Sequence, residues 1–207
     1  MNKEDYSYKS DWDKIYSTYS LEQLPWIDAA LNLHIVDFVR ALPRELQILD
    51  VGCGDGRLSE CLASFNNNHL TAIDISEEVI ALCSKRKGNV DYKVMDAFQL
   101  DASKAYDVVV CGFLVHHILE KDINLLLEII TRVTKKDGYF ILTYLNSQFT
   151  RKQKRKSLFT AEHDVILYDF EYLRKLLPQF ELIDKTHHRL SKEDMSFEYE
   201  LLILRKR

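Results

Sequence analysis

The decapeptide Ile48-Leu49-Asp50-Val51-Gly52-Cys53-Gly54-Asp55-Gly56-Arg57 runs from a short apolar stretch into glycine at every second position. An apolar run that meets residues without Cβ atoms lets a buried strand turn sharply and leaves bare backbone at the turn. Beyond it, Leu58, Cys61, Leu62 and Phe65 fall at helical spacing, so a helix is predicted over Gly56 to Phe65. Strand, glycine turn and helix N-terminus together give a ligand close access to backbone N–H groups. An ordinary strand-to-helix connection has the same composition, so the loop alone leaves both readings open.

The rest of the chain repeats the alternation. Gln47 to Val51 is the first predicted strand and His69 to Ile73 the second. Ser76 caps a helix with Glu77 and Glu78 in its first turn, where negative charge suits the helix dipole, and Gly88 closes it. Val90 to Met95 and Tyr106 to Cys111 follow as strands, the latter apolar enough to be buried on both faces. Asp122 to Thr134 is a predicted helix, Lys135 to Gly138 a turn and Tyr139 to Leu145 the fifth strand. After a polar stretch from Asn146 to about Tyr168, Asp169 caps a helix through Leu176, which Pro178 stops. Phe180 to Ile183 and Phe197 to Leu204 are two closing strands. Ahead of the first strand, Pro25 starts a helix whose Ile27, Leu31, Ile35, Phe38 and Val39 share a face, ending near Pro43. Repeated strand–helix units imply an α/β fold: a doubly wound, mostly parallel sheet with helices on both faces.

Such a sheet binds ligands at the carboxyl ends of its strands, near the point where strand order reverses. The first three strands all reach that edge with an aspartate: Asp50 in the first, Asp74 in Thr71-Ala72-Ile73-Asp74-Ile75, and Asp96 in Lys93-Val94-Met95-Asp96-Ala97-Phe98. One such aspartate is an ordinary cap or turn residue, whereas three at a shared edge point to a site. A carboxylate at the second tip can accept hydrogen bonds from both hydroxyls of a ribose. A nicotinamide dinucleotide fits less well. Its fingerprint is G-x-G-x-x-G, and here the spacing is G-x-G-x-G with Arg57 where the third glycine would stand.

Charge and cysteine usage narrow the class further. At 207 residues the chain is long enough to bury one core without covalent staples, so Cys53, Cys61, Cys83 and Cys111 are expected as free thiols in a reducing cytoplasm. Their spacing completes no zinc pattern, and no metal is expected. No apolar run approaches the roughly 18 residues needed to span a bilayer, and Met1 to Asp13 is too polar for a secretory signal. The formal net charge of −4 argues against a general nucleic-acid binder. The exception is Arg151-Lys152-Gln153-Lys154-Arg155-Lys156, whose five positive charges, if removed, would take the net charge to −9. It reads either as a solvated loop or as a contact for an anionic acceptor such as a phosphate ester or RNA.

Taken in order, ILDVGCGDGR, TAIDIS, KVMDAF, YDVVVCGFLVHHI and KKDGYFILTY resemble the motif set of class I S-adenosylmethionine-dependent methyltransferases. More loosely, Trp12 to Tyr16 and Leu24-Pro25-Trp26 are similar to small-molecule members of the thiopurine and tellurite type. The resemblance implies a Rossmann-like sheet of about seven strands with an antiparallel last strand. It also implies S-adenosylmethionine as methyl donor and S-adenosylhomocysteine as product. By position, the cofactor would be held by Asp50, Gly52, Cys53, Gly54 and Gly56, by Asp74 with Ile75, and by Asp96 with Ala97. Cys111 and Gly112 would lie near the sulfonium. A single domain over residues 1–207 is expected: an N-terminal helical extension or lid at 1–45, a cofactor-binding core at 46–145 and an acceptor-side insertion with closing strands at 146–207.

The acceptor is expected to be a small molecule with an O, N or S nucleophile, since no Asn-Pro-Pro-Tyr or Asp-Pro-Pro-Tyr follows the fourth strand. In similar proteins that motif accompanies methylation of planar amino nitrogens. An RNA or protein methyltransferase, or a non-catalytic cofactor-binding subunit, are the alternatives. His116 and His117 are candidate bases for a hydroxyl or ammonium acceptor, although a histidine pair there also serves as a structural turn. Trp26 and Tyr144 are candidates to line the acceptor pocket. The working unit would be a monomer or a homodimer, with no membrane contact.

Overall fold

The strands are β1 (Gln47–Val51), β2 (His69–Asp74), β3 (Val90–Val94), β4 (Tyr106–Gly112), β5 (Thr134–Leu145), β6 (Phe180–Lys192) and β7 (Met195–Lys206). In the computed structural model they form one sheet in the order β3-β2-β1-β4-β5-β7-β6. The structure describes residues 8–20, 33–86, 88–146, 166–192 and 195–207, with no account of the side chains at 190–197. β1 to β5 run parallel, and β7 enters antiparallel between β5 and β6. Because β1 pairs with β2 on one side and β4 on the other, strand order reverses at β1. The glycine loop leaves the sheet at this switch point.

Six helices cover the sheet among the described residues: α1 (Tyr8–Thr18), α2 (Leu33–Ala41), α3 (Arg57–Ala63), α4 (Glu77–Cys83), α5 (Ile123–Val133) and α6 (Phe170–Leu176). Period-two alternation divides the strands between two cores. Ile48, Val108, Val110 and Ile141 face α1 to α4, where Ile35, Val39, Leu58, Leu62 and Val79 meet them. Leu49, Val109, Phe140 and Leu142 face the opposite side, against Leu126, Leu127 and Ile130 of α5 and Leu173 of α6. Both faces of the central strands are therefore apolar, as their unbroken apolar sequence requires.

The capping residues behave as their chemistry predicts. The Val79 N–H donates to Ser76 Oγ at 3.4 Å, and the Tyr172 N–H to Asp169 Oδ1 at 2.8 Å. Three boundaries differ from expectation. The helix after β2 stops at Cys83 rather than near Gly88, because the N–H groups of Lys85 and Arg86 donate three residues back, to Leu82 and Cys83, and take the last turn out of α-helical register. Lys135 to Gly138 is a bulged opening of β5 rather than a free turn: Tyr106 pairs with Thr134, Val108 with Tyr139, and Asp137 takes φ 62°. The closing strands are far longer than their apolar stretches, because cross-strand pairing carries the polar residues of β6 along. Pro25, Ile27 and Leu31, and the basic run at 151–156, lie outside the described residues. No described helix is long and apolar enough to cross a membrane.

Candidate active site

The loop after β1 owes its path to glycine. Gly52, Gly54 and Gly56 have φ of 71°, 52° and 73°, a region that other L-residues enter only at a cost. At Gly56 the demand is steric as well, since a Cβ would collide with the Tyr92 hydroxyl. The loop is fastened to β2: the N–H groups of Gly52 and Cys53 both donate to the Ile73 carbonyl, at 2.8 and 2.9 Å.

Asp74, at the tip of β2, completes this attachment. Its Oδ2 accepts from the Gly54 N–H and its Oδ1 from the Ser76 N–H, each at 3.0 Å. It is only 8% exposed. Burial pushes its pKa up to about 6, against the pull of the Ser76, Gly54 and Ile75 N–H groups. Each carboxylate oxygen has a second lone pair, so both can still accept from a ligand hydroxyl.

Asp50 plays a different part. It lies beneath the loop, where Ser59 Oγ of α3 donates to its Oδ2 at 2.5 Å and burial pushes its pKa up to about 6. It braces the loop against the helix. Asp96 caps the short turn Ala97–Gln99 by accepting the Phe98 N–H at 3.0 Å, and the Met95 N–H donates to the Asp74 carbonyl, joining the second and third tips. Ile75, Asp96 and Ala97 are half-buried along this edge. Cys53 is buried beside the loop, its thiol pushed well up by burial. Cys111 departs from expectation: strand alternation turns its wholly buried side chain into the α5-side core, so of the pair only Gly112 lies partly open at the β4 tip.

Several participants carried no sequence signal. The Tyr16 hydroxyl of α1 stands 3.2 Å from where a Gly54 Cβ would be, and Ser76 Oγ donates to Asp13 Oδ1 at 2.6 Å. An N-terminal helix thus roofs the glycine loop. Arg86 Nη1 donates to the Asp55 carbonyl at 2.6 Å, and Arg57 Nε pairs with Asp55 Oδ2 at 2.5 Å, tying down the loop's outer turn. No pattern rule connects Tyr16 with Gly54, Asp13 with Ser76 or Arg86 with Asp55.

Past Gly112 the rim changes character. Phe113 holds φ 55°, unusual for a residue with a side chain, and its N–H donates to Thr143 Oγ1 at 2.9 Å. His116 is 4% exposed. Its Nδ1 is buried without a hydrogen-bond partner among the described residues, and burial, then the neighbouring His117, holds its pKa well below 6.5. His117 is half-buried, its ring edge-on to Trp12 at 4.8 Å. Tyr144, expected to line the acceptor space, is wholly buried instead. It donates its hydroxyl to Glu200, which also accepts from Lys185 Nζ at 3.1 Å. Cross-strand pairing of Tyr144 with Glu200 places both in the α6-side core. Trp26 lies outside the described residues. No group of three or more His, Cys, Asp or Glu able to hold a metal occurs among the described residues.

Comparison with known proteins agrees with this geometry. Residues 48–138 match a family described as a methyltransferase domain. A ubiquinone biosynthesis O-methyltransferase of Xanthomonas axonopodis pv. citri is 30% identical over 167 residues, covering 77% of this chain and 62% of that protein. The chain spans between 46% and 62% of the length of this and two other curated relatives. A methyltransferase structure from Anabaena variabilis matches with TM-score 0.77 at 17% identity, covering 100% of this chain and 98% of that one. The N-methyltransferase NodS of Bradyrhizobium japonicum, solved with S-adenosylhomocysteine, matches with TM-score 0.72 at 14% identity, covering 95% and 97%. These two likenesses establish the fold, and the family match falls on the motif-bearing segment. Residues 48–138 are thus similar to a methyltransferase domain, carried on a fold shared with S-adenosylmethionine-dependent methyltransferases of solved structure.

Proposed function

We propose that this chain transfers the methyl group of S-adenosylmethionine to a small-molecule acceptor. The observation that carries the proposal is Asp74: a buried carboxylate fixed by two backbone donors, with lone pairs left over, next to three glycines held open by positive φ. A Cβ at those glycines would be strained by the positive φ and, at Gly56, would strike the Tyr92 hydroxyl, so the loop keeps bare backbone at the strand edge, where a nucleoside could approach it closely. Asp74 would accept the ribose hydroxyls. Gly52, Gly54 and Gly56 would lie under the methionine part, while Ile75, Asp96 and Ala97 would flank the adenine and Gly112 the sulfonium. Asp50 and Cys53 support the loop from below. When bound, the donor supplies an electrophilic methyl on a positively charged sulfur.

The chain's own contribution is placement and exclusion of water. Holding an acceptor in line can lower the barrier by on the order of 7 kcal/mol or more. The α1 roof and the rings beyond Gly112 would shut solvent out. His116, kept neutral by burial, is the candidate to take a proton from a hydroxyl or amine acceptor, and His117 would hold its ring. The Xanthomonas relative's name as an O-methyltransferase supports an oxygen acceptor, and the net charge of −4 favours a small molecule over nucleic acid.

Calorimetry with S-adenosylhomocysteine tests the binding half, and a screen of acceptor pools for its release tests the chemistry. Removing two charge-assisted hydrogen bonds by Asp74→Ala should weaken binding about 100-fold. Unchanged binding in that variant would refute the assignment.

A further inference from the structure

Among the described residues, the three loop glycines do not face equal space. A Cβ on Gly52 would press on the Leu114 side chain at 3.2 Å, and one on Gly56 would strike Tyr92 and, at 3.0 Å, Cys83 Sγ. On Gly54 it would meet a single heavy atom within 4 Å, the Tyr16 hydroxyl oxygen at 3.2 Å. A ligand lying over Gly54 therefore has room, and the side chain that borders this room is Tyr16.

Tyr16 is 8% exposed, and its hydroxyl makes no hydrogen bond to any described residue. A buried polar group in that state costs free energy until something satisfies it. Burial, then the charge of Asp74, pushes its pKa well up, so the group stays protonated and can donate. The ring is also held in place. One turn earlier in α1, Asp13 Oδ1 accepts from Ser76 Oγ at 2.6 Å, and Lys9 Nζ bridges Asp13 Oδ2 and Glu77 Oε1 at 2.8 and 3.0 Å. These bonds fasten α1 to the start of α4, just beyond Asp74.

Five of the loop's own N–H groups are already spent. Those of Gly52 and Cys53 bind the Ile73 carbonyl, that of Gly54 binds Asp74, that of Gly56 binds the Cys53 carbonyl and that of Arg57 binds Asp55 Oδ1. What the loop has left for a ligand is carbonyl oxygen and carboxylate, which suit hydroxyls and an ammonium but repel a second carboxylate. The donor still unspent beside Gly54 is the Tyr16 hydroxyl.

We infer that Tyr16 determines specificity at the donor site: its hydroxyl donates to the amino-acid carboxylate of bound S-adenosylmethionine and selects nucleosides that carry one. This rests on the proposed cofactor site, in which the amino-acid end lies over the loop glycines, and adds what recognises that end.

The test titrates the full chain by calorimetry with S-adenosylhomocysteine and with its decarboxylated analogue, which keeps the adenosine, the thioether and the ammonium. Tyr16→Phe should lower S-adenosylhomocysteine affinity about tenfold, the loss of one hydrogen bond to a charged group, and leave the analogue within about twofold. Asp74→Ala should weaken both ligands alike, because the ribose is common to them. The ligand-free Tyr16→Phe protein should unfold no more easily than the wild type, since it loses only an unpartnered hydroxyl. Equal loss for both ligands would assign the hydroxyl to the ribose or the ammonium, and no loss for either would remove it from the site. Each of those results overturns the inference and leaves the cofactor reading standing. Lower stability of the free variant would show that a group of the protein already satisfies the hydroxyl, and overturns it too. If S-adenosylhomocysteine does not bind even the wild type, the cofactor reading fails and takes this inference with it.

Discussion

The two halves of the sheet's carboxyl edge are built from different materials. Over β1, β2 and β3 the edge is bare glycine backbone and carboxylate, each fixed by hydrogen bonds to neighbours in a strand or a turn. Over β4, β5, β7 and β6 it consists of rings contributed by α1, the β4 tip and the closing hairpin. Backbone and carboxylate recognise groups that a cofactor always presents, so that half has little freedom to vary. Side chains on separate elements can be exchanged one at a time, so the other half can be fitted to a particular acceptor without disturbing the first.

The sharpest way to break this contrast is to add a single methyl group to the loop. Gly56→Ala meets both a positive φ and the Tyr92 hydroxyl, and it should cost about 3 kcal/mol in denaturant unfolding. Gly88→Ala is the control, because its Cβ would find only Glu60 Cγ at 3.9 Å; it should stay within about 0.5 kcal/mol. Equal effects would mean that the loop's conformation is not what holds it.

A smaller loss should follow Ser59→Ala, which strands the buried Asp50 carboxylate: about 2 kcal/mol by the same measurement. No change would show that Asp50 does not brace the loop.

Acidity should move the cofactor half in two opposite directions. Asp50 and Asp74 have folded pKa values raised to about 6, so in the folded chain they bind protons more readily than in the unfolded chain. Their contribution to stability is present in full below about pH 4 and is lost as pH rises through about 6. The ligand-free protein should therefore gain stability from these groups between pH 8 and pH 5, and Asp74→Asn should flatten the gain. Over the same range S-adenosylhomocysteine affinity should fall about tenfold, since protonation of Asp74 removes the charge that strengthens its hydrogen bonds. A parallel rise in both quantities would contradict Asp74 as the ribose partner.

The smallest effect belongs to the aromatic half. His116→Phe removes a buried, unsatisfied nitrogen and should raise the unfolding free energy by about 1 kcal/mol. A loss of stability instead would show that Nδ1 is satisfied in solution by a group of the protein or by water.

The two halves also differ in how legible they were in sequence. Gly52, Gly54, Gly56 and Asp74 are visible because close backbone approach leaves no other residue type that fits, and because strand ends bring Asp74 to the same edge. Strand alternation was equally available for Cys111, and following it would have sent that side chain into the core. The ring band was hidden. Phe113, Tyr199 and His188 come from different segments, and nothing in their spacing says that the sheet order brings them together. Tyr144 shows the same difficulty from the other side, because an aromatic residue near a strand end reads as a pocket wall in sequence, whereas its partner is Glu200 across the ladder. Only Phe180 to Ile183 of β6 was legible, because hydrogen bonding to β7, rather than apolar patterning, carries the strand on to Lys192.

The placement of β7 constrains how the sheet is assembled. Among the described residues β6 pairs with no strand except β7, and β7 lies between it and β5. Neither can be added from outside in sequence order, so the pair joins as a ready-made hairpin while the β5 border waits with unfilled amide and carbonyl groups. During refolding at high concentration that border is the edge at which a hairpin from a neighbouring molecule would compete with the chain's own, so strand-exchanged dimers are the misassembly to expect there.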